Sequence, residues 1–189
     1  VDLQEHRQQV IGASLGEEAV QAGLLAVTVG FALVVLFMAM YYKGAGVIAD
    51  FILVLNLLFI ISILSVFNLT LTLTSIAGIV LTVGMAVDAN VIVYERIKEE
   101  YRLGKSAKAS IAAGFQKAMS SVLDANVTTF IAAIFLSQLG TGPIQGFAVT
   151  LAVGIVSSMF TALFVSRLIF DFGTDVLKRQ NLSIGWGVR

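Results

Sequence analysis

The stretch FILVLNLLFIISILSVFNLTLTLTSIAGIVLTVGMAV, residues 51–87, contains no Asp, Glu, Lys or Arg. A second stretch without these residues, 125–166, lies in the other half of the chain. One membrane-crossing helix needs about 20 apolar residues, so each stretch is long enough for two crossings joined by a short turn. The two stretches therefore predict four membrane helices.

The bulk composition points the same way. Of the 189 residues, 58% are hydrophobic and only 13% are charged, and the mean hydropathy is +0.93. Since a soluble domain carries about a quarter charged residues, this chain cannot cover a water-facing surface. The net charge of zero gives no indication of a nucleic-acid partner, and the absence of cysteine excludes disulfides and thiolate metal sites. No cofactor or metal is expected.

Polar and aromatic residues divide the apolar sequence into five predicted crossings. Residues 1–19 form a polar flank, and the first crossing ends at Tyr41-Tyr42-Lys43, a typical interfacial end. Turns are predicted at Gly44 and Gly46, at the polar run Asn68, Thr70, Thr72 and Thr74, and at Gly140 to Pro143. The predicted crossings are residues 20–42, 47–66, 72–94, 117–138 and 146–170. The predicted fold class is an all-α polytopic membrane bundle of five helices, residues 20–170, followed by a polar tail, 171–189.

Charged residues return between the third and fourth crossings, in the segment 95–116. Acidic and basic side chains in 95–102 share helical faces, which predicts a solvated helix that leaves the membrane. Gly104 is expected to end this helix, and Ser106 to cap a second short helix that runs to about Gly114. The cluster 95–108 is interpreted as a solvated face.

The basic residues indicate the orientation. The predicted topology leaves Arg7 on one side, with no Lys or Arg in the turns near 68 and 141. The other side collects Lys43, the six basic residues from Arg96 to Lys117, and the tail with Lys178, Arg179 and Arg189. By the positive-inside rule this second side is cytoplasmic, and the flank 1–19 is extracytoplasmic. The chain begins at Val1 without a signal-peptide pattern, so it is expected to be a segment of a longer protein.

Two aspartates lie inside predicted crossings. Asp88 and Asp124 are each followed by Ala and Asn, and each lies roughly 9–10 Å from the same membrane face at about 1.5 Å per residue. An unpaired carboxylate at mid-bilayer costs about 2.5–3.5 kcal/mol, so a partner or a role is expected. If the two carboxyl groups face each other, mutual repulsion favours proton binding. Both are therefore candidate proton-coupling residues.

Simpler roles are open for these and the other polar residues. Asp88 and Asp124 could be hydrated or bond neighbouring helices together, and Asp50 is interpreted as a helix-start acid favoured by the helix dipole. Small residues of the third crossing (Gly78, Gly84, Ala86 and Ala89) are expected to let neighbouring helices approach closely. Interhelical hydrogen bonds are expected for Asn56, and for the residues that would support the aspartates, Asn90, Asn126, Thr128 and Thr129.

The residues around the aspartates resemble the SecD family of bacterial protein-export subunits. Residues 84–90 with 95–100 resemble its fourth membrane helix, and residues 124–129 resemble its fifth. Residues 140–148 resemble the turn into the sixth, while 11–16 and 182–185 resemble the flanking segments. Two departures are Ala13, where a Pro is usual, and Gln145, where a basic residue is common. The order of the motifs covers nearly the whole chain.

The resemblance implies a role in export at the bacterial inner membrane. The family works with SecF beside the SecYEG channel, uses the proton-motive force to draw preproteins outward, and belongs to the resistance-nodulation-division superfamily. Its essential acid falls on Asp88, and the partner Arg would lie in SecF. The family's first membrane helix and most of its extracytoplasmic domain would be missing from this chain. The expected partners are SecF, SecYEG, preprotein, protons and the lipid bilayer.

Three other functions can be compared with the sequence. A proton-coupled transporter of solutes or lipids from the same superfamily would use the same chemistry. An aspartyl intramembrane protease would need two acids that share a proton, but Asp88 follows Met-Ala-Val rather than the Gly-x-Gly that precedes the acid in such enzymes; the chain is therefore not expected to be an enzyme. A scaffold that docks SecF or the channel is compatible with the export function.

Overall fold

The structure, a computed structural model, describes the backbone of residues 2–68, 72–175 and 183–185, and their side chains except those of 2–17, 19 and 175. The described chain is helical, with one π-helical segment, Thr161–Val165, between the last two helices. The helices are α1 Asp2–Tyr42, α2 Gly44–Val66, α3 Leu73–Arg102, α4 Ala107–Leu139, α5 Pro143–Phe160 and α6 Ser166–Asp175. Some residues of the predicted tail and of the predicted polar turn lie outside the described residues. They are Lys178, Arg179, Leu182 and Arg189 in the tail, and Thr70 in the turn.

Five crossings, as predicted, are long and apolar enough to span a membrane within the described residues. They are Val20–Tyr42, Gly44–Val66, Leu73–Arg102, Ala107–Leu139 and Pro143–Thr174. The predicted polar flank continues α1 without a break, so its first residues form one helix with the first crossing. The all-α bundle is therefore confirmed.

Helices α3 and α5 lie at the centre of the bundle, whereas α1 is largely exposed on its outside. Close approach of α3 and α5 depends on small residues. A Cβ at Gly154 would lie 2.3 Å from the Thr82 hydroxyl oxygen, and one at Gly78 would lie 3.2 Å from the Phe147 carbonyl oxygen. Ala86 and Ala89 are buried as expected. Gly84 is different, because a Cβ there would meet nothing within 4 Å; the prediction that it permits close packing is wrong.

The turns at the charged end of the bundle, where α1 and α3 end and α2 and α4 begin, differ from the prediction. Lys43 alone makes the first turn, with φ 52°. Gly44 and Gly46 already belong to α2. A side chain does not fit at position 46, because a Cβ there would lie 1.9 Å from the Met38 carbonyl oxygen. The expected turn at Gly104 is present, with φ 83°.

The segment after Ser106 is not a separate short helix but the beginning of α4. The Ser106 hydroxyl accepts from the Ala109 amide, as predicted for an N-cap. The helix does not end at Gly114, because this glycine lies against α3, where a Cβ would come within 2.5 Å of Ile97. Helix α4 therefore runs on without interruption.

Part of the charged cluster is buried rather than solvated. Glu100, only 2% exposed, pairs with Lys105 and with Lys117 Nζ at 2.5 Å. Lys98, 3% exposed, pairs with Glu95 at 3.3 Å and lies over the ring of Tyr41. The prediction of a solvated face is therefore wrong for Glu100 and Lys98. The Glu100 pairs join the end of α3 to the beginning of α4, and Lys98 packs on Tyr41 at the end of α1.

A distant segment closes the start of α2. The Ala45 amide donates to the Ser183 carbonyl oxygen at 2.9 Å, and the Gly44 amide lies 3.3 Å from the Ser183 hydroxyl oxygen. Ile184 is buried in the core cluster at the charged end. Residues 183–185 therefore satisfy amide groups that the helix itself leaves unpaired.

Candidate functional site

Asp88 lies in a cleft of about 180 Å³ between α3 and α4, here called the Asp88 cleft. Helix α3 contributes Met85, Asp88, Ala89 and Ile92, and α4 contributes Val122, Ala125, Asn126 and Thr129. Asp88 itself is exposed at the protein surface. None of the eight lining residues is basic, so the cleft offers the carboxyl group no counter-charge of its own.

The floor of the Asp88 cleft rests on the π-helical segment. Ala89 and Val122 form a buried cluster with Ala162 and Leu163, both from Thr161–Val165. A π-helical turn inside a longer helix is often found at functional sites. The cleft is therefore connected directly to a segment of irregular helix geometry.

Asp124 does not line the Asp88 cleft. It is exposed on α4, two residues before the lining residue Asn126. Because successive helical residues are rotated by about 100°, Asp124 and Asn126 point to nearly opposite sides of α4. The structure thus does not bring the two aspartates into one pocket, although both lie in the crossings predicted for them.

The polar residues around the cleft bond mainly within their own helix. The Asn126 amide donates to the Val122 carbonyl at 2.7 Å. The hydroxyls of Thr128 and Thr129 donate to the carbonyls of Asp124 and Ala125 at 2.8 and 3.0 Å. The predicted interhelical bonds of these three residues are therefore not the ones observed. Asn126 and Thr129 still line the cleft, whereas Thr128 is exposed outside it.

The predicted interhelical bond of Asn56 is present. Its side-chain oxygen accepts from the Ser157 hydroxyl at 2.5 Å, which joins α2 to α5. Asn90 is buried on the side of α3 opposite Asp88, but its side-chain oxygen has no hydrogen-bond partner among the described residues. Neither residue contributes to the Asp88 cleft.

The sequence interpretation of Asp50 as a helix-start acid is wrong. Helix α2 begins at Gly44 and has no acid in its first turn, and the dipole effect falls off within that turn. The buried oxygen Oδ1 of Asp50 has no partner in the described part of the chain. The true helix start was hidden because Gly44 and Gly46 resemble turn residues.

Comparison with known proteins identifies a family over most of the chain. The family described as "Protein export membrane protein SecD/SecF, C-terminal" matches residues 1–174. Protein translocase subunit SecD of Treponema pallidum is 57% identical over 188 residues, which is 100% of this chain and 32% of that protein. The SecD of Rhodothermus marinus is 55% identical over 172 residues, 91% of this chain and 27% of that protein. The chain thus spans about a third of the length of these curated relatives.

Solved structures agree in fold. The crystal structure of SecDF from Thermus thermophilus, described as a translocon-associated membrane protein, matches with a TM-score of 0.84 and 40% identity. The match covers 88% of this chain and 23% of that one. A second SecDF crystal structure, in a super-membrane-facing form, matches with a TM-score of 0.81 and 41% identity over 86% of this chain and 22% of that one. The backbone fold of most of the chain is therefore shared with a translocon-associated membrane protein.

Proposed function

The chain belongs to the SecD/SecF family, as the C-terminal membrane region of SecD, and from this we propose that it is the proton-coupled part of an accessory to the Sec protein-export channel. The observation that carries the proposal is Asp88, a carboxyl group in an open cleft at membrane depth with no basic residue among the lining side chains. A carboxyl group so placed can be neutral when protonated and charged when not. Only the charged form needs a positive partner.

That partner would come from outside the chain. The Asp88 cleft is open at the surface, and an intramembrane acid normally pairs with another charged group or marks an ion pathway. SecF is the candidate, because the family resemblance implies that SecD works together with SecF. Deprotonated Asp88 would attract a basic residue of SecF, and protonation would release it.

Movement would follow from the way α3 is held. On one face, Asp88 sits in the cleft; on another, Val83 and Ala86 pack in a buried cluster that also contacts Phe31 and Val34 of α1. A shift of α3 would therefore displace α1. Since α1 is one continuous helix of 41 residues, roughly 60 Å long at 1.5 Å per residue, its displacement would reach the flank before Val20.

The orientation follows from the charged end. By the positive-inside rule, the end of α3 and the beginning of α4 would lie in the cytoplasm. The flank before Val20 would then be extracytoplasmic, where a moving domain could act on an emerging preprotein. The SecYEG channel and preprotein are the partners this implies.

The test is Asp88→Asn in the full-length protein with SecF, in inverted vesicles that carry SecYEG. We expect loss of the export that depends on the proton gradient, with normal assembly with SecF. Asp124→Asn is the matched control, because this acid lies outside the cleft, and it should keep most of the activity. Normal gradient-dependent export by Asp88→Asn would overturn the proposal. Proton-driven flux of a small solute or lipid, without any effect on preprotein, would favour a transporter instead.

A further inference from the structure

A second group of buried polar atoms lies inside the bundle, on the side of α3 away from the Asp88 cleft. Asp50 of α2, Asn90 and Tyr94 of α3 and Ser166 of α6 each have a buried side-chain oxygen without a hydrogen-bond partner among the described residues. Tyr94 and Ser166 are both 0% exposed, and Asn90 is 1% exposed. Three helices thus direct unsatisfied oxygen atoms into the protein interior.

Contacts place these residues near one another. Ala49, next to Asp50 in α2, lies in the same buried cluster as Tyr94 of α3 and Phe170 of α6. One turn after Ser166, Phe170 packs edge-on against the Tyr94 ring with centroids 5.4 Å apart. Helices α2, α3 and α6 therefore converge at this point, and their polar side chains share one region of the charged end.

The register of the helices places Asn90 at the depth of Asp50. Ser157 bonds Asn56, and Gly154 contacts Thr82, which aligns α2, α5 and α3. Asp50 is six residues, or about 9 Å, from Asn56 toward the charged end. Moving the same distance toward the charged end along α3, from the depth of Asn56, leads to within about one residue of Asn90. Asn90 and Asp50 therefore lie at nearly the same depth.

Asp50 is the one acid of this group, and its buried oxygen Oδ1 has no hydrogen-bond donor among the described residues. The side-chain oxygen of Asn90 only accepts, and a deprotonated Asp50 carboxylate also only accepts. Unpaired acceptors in an apolar interior are costly. A proton on Asp50 turns one acceptor into a donor, and the hydroxyls of Tyr94 and Ser166 can serve as either.

We propose that Asp50, with Asn90, Tyr94 and Ser166 around it, is a second, interior proton-binding site, separate from Asp88. The inference rests on the proposed function for its purpose, because proton movement is the activity it would serve. Its structural basis is independent, since it uses different residues on a different face of α3.

The charged groups nearby are already paired with one another. The Tyr42 hydroxyl of α1 donates to Glu95 at 3.0 Å, and Lys98 pairs with the same carboxylate at 3.3 Å. Tyr42 also packs edge-on against Tyr94. Glu95 and Lys98 offset each other's charge, and Arg167, beside Ser166, pairs with Asp171 at 3.7 Å. A proton on Asp50 would neutralise its carboxylate.

The π-helical segment links the two sites. Its residues Ala162 and Leu163 lie under the Asp88 cleft, and Ser166 of the interior site follows directly after it. A change in hydrogen bonding at Ser166 would therefore act on the segment that supports Ala89, beside Asp88. The two proton sites would influence each other through Thr161–Val165 and the beginning of α6.

The test is infrared difference spectroscopy of the full-length protein with SecF in lipid bilayers, during a titration from alkaline to mildly acidic pH. We expect a carbonyl-stretch band of a protonated, buried carboxyl group, sensitive to heavy water, that persists in Asp88→Asn and disappears in Asp50→Asn. Tyr94→Phe should keep the band but shift its frequency, because one hydrogen-bond partner is removed. Co-purification with SecF shows whether each variant assembles. If Asp50→Asn fails to assemble, the frequency shift in Tyr94→Phe still tests the site.

Three results would overturn the site. Wild-type and Asp50→Asn proteins could give the same spectra, Tyr94→Phe could leave every carboxyl band unshifted, or sodium at fixed pH could remove the band, which would indicate an alkali-cation site. Failure of the proposed function is distinguishable, since it would appear as normal export by Asp88→Asn while the Asp50 band remained.

Discussion

Asn126 of α4 and Asp88 of α3 line the same cleft, whereas Asp124, two residues before Asn126, does not. The Asn126 amide is held by the Val122 carbonyl at 2.7 Å, which fixes the side chain at the cleft wall. The motif Asp124-Ala125-Asn126 therefore presents its alanine and asparagine to the cleft and its acid to the outside. This arrangement separates the roles of the two aspartates.

Filling the cleft should impair export. Ala125 lines the Asp88 cleft, so Ala125→Leu would occupy part of its roughly 180 Å³ and keep water and a basic partner from Asp88. We expect gradient-dependent export to fall several-fold in the full-length protein, with normal membrane assembly. Ala132→Leu is the control, because Ala132 is exposed elsewhere on α4. Equal export by the two variants would show that access to the cleft is unimportant.

Close packing of α3 on α5 should be sensitive to a single methyl group. A Cβ at Gly154 would lie 2.3 Å from the Thr82 hydroxyl oxygen and 2.8 Å from its Cβ, so Gly154→Ala must push the helices apart. We expect a loss of about 1–3 kcal/mol, measured as a lower unfolding temperature in detergent. Gly84→Ala is the control: with open space around it, it should be neutral or stabilise by up to about 1 kcal/mol. The reverse order of stability would contradict the packing described for α3.

The ion pairs of Glu100, whose own side chain is buried, should matter more than the pair beside them in which both side chains are exposed. Glu100 holds Lys105 and Lys117, so Glu100→Gln would remove both attractions at the end of α3. Glu99 pairs with Arg96 at 2.8 Å, but both side chains are about half exposed, and such surface pairs contribute little. We expect a clear drop in unfolding temperature for Glu100→Gln and almost none for Glu99→Gln. Equal effects would mean that burial does not strengthen the Glu100 pairs.

The proposed orientation can be measured with single cysteines, since the sequence has none of its own. Leu103 at the charged end is 73% exposed, and Leu139 at the opposite end is 80% exposed. In intact spheroplasts, Leu139→Cys should react with a membrane-impermeant maleimide, and Leu103→Cys should react only after permeabilisation. Labelling in the opposite pattern would reverse the topology.

Much of the fold could be predicted from hydropathy, because five long apolar runs admit few arrangements. The end of the first crossing at Tyr42 and the N-cap at Ser106 agree with the structure. The first residue of a helix was harder to predict where a glycine allows close packing instead of forming a turn, as at Gly46. Cytoplasmic and extracytoplasmic assignments, and proton binding at Asp88 and Asp124, stay predictions.

The direction in which each polar side chain points could not be read from the sequence. Asp50, Asp88 and Asp124 are all single acids among apolar residues, yet one has a buried oxygen, one lines a cleft, and one is exposed outside it. The distinction depends on which neighbour covers each helix face. Similarly, the burial of Glu100 depends on Lys105 and Lys117, which only the α3–α4 turn brings to it.

The contact between Ser183 and the start of α2 bears on the order in which the protein matures during synthesis. The amides of Gly44 and Ala45 donate to Ser183, which is synthesised 139 positions after Gly44. Until the ribosome has produced that residue, the first two crossings can insert into the membrane, but the hydrogen bonds at this turn cannot form. Synthesis of Ser183, rather than insertion of the first helices, therefore sets the earliest moment at which these contacts at the charged end can form.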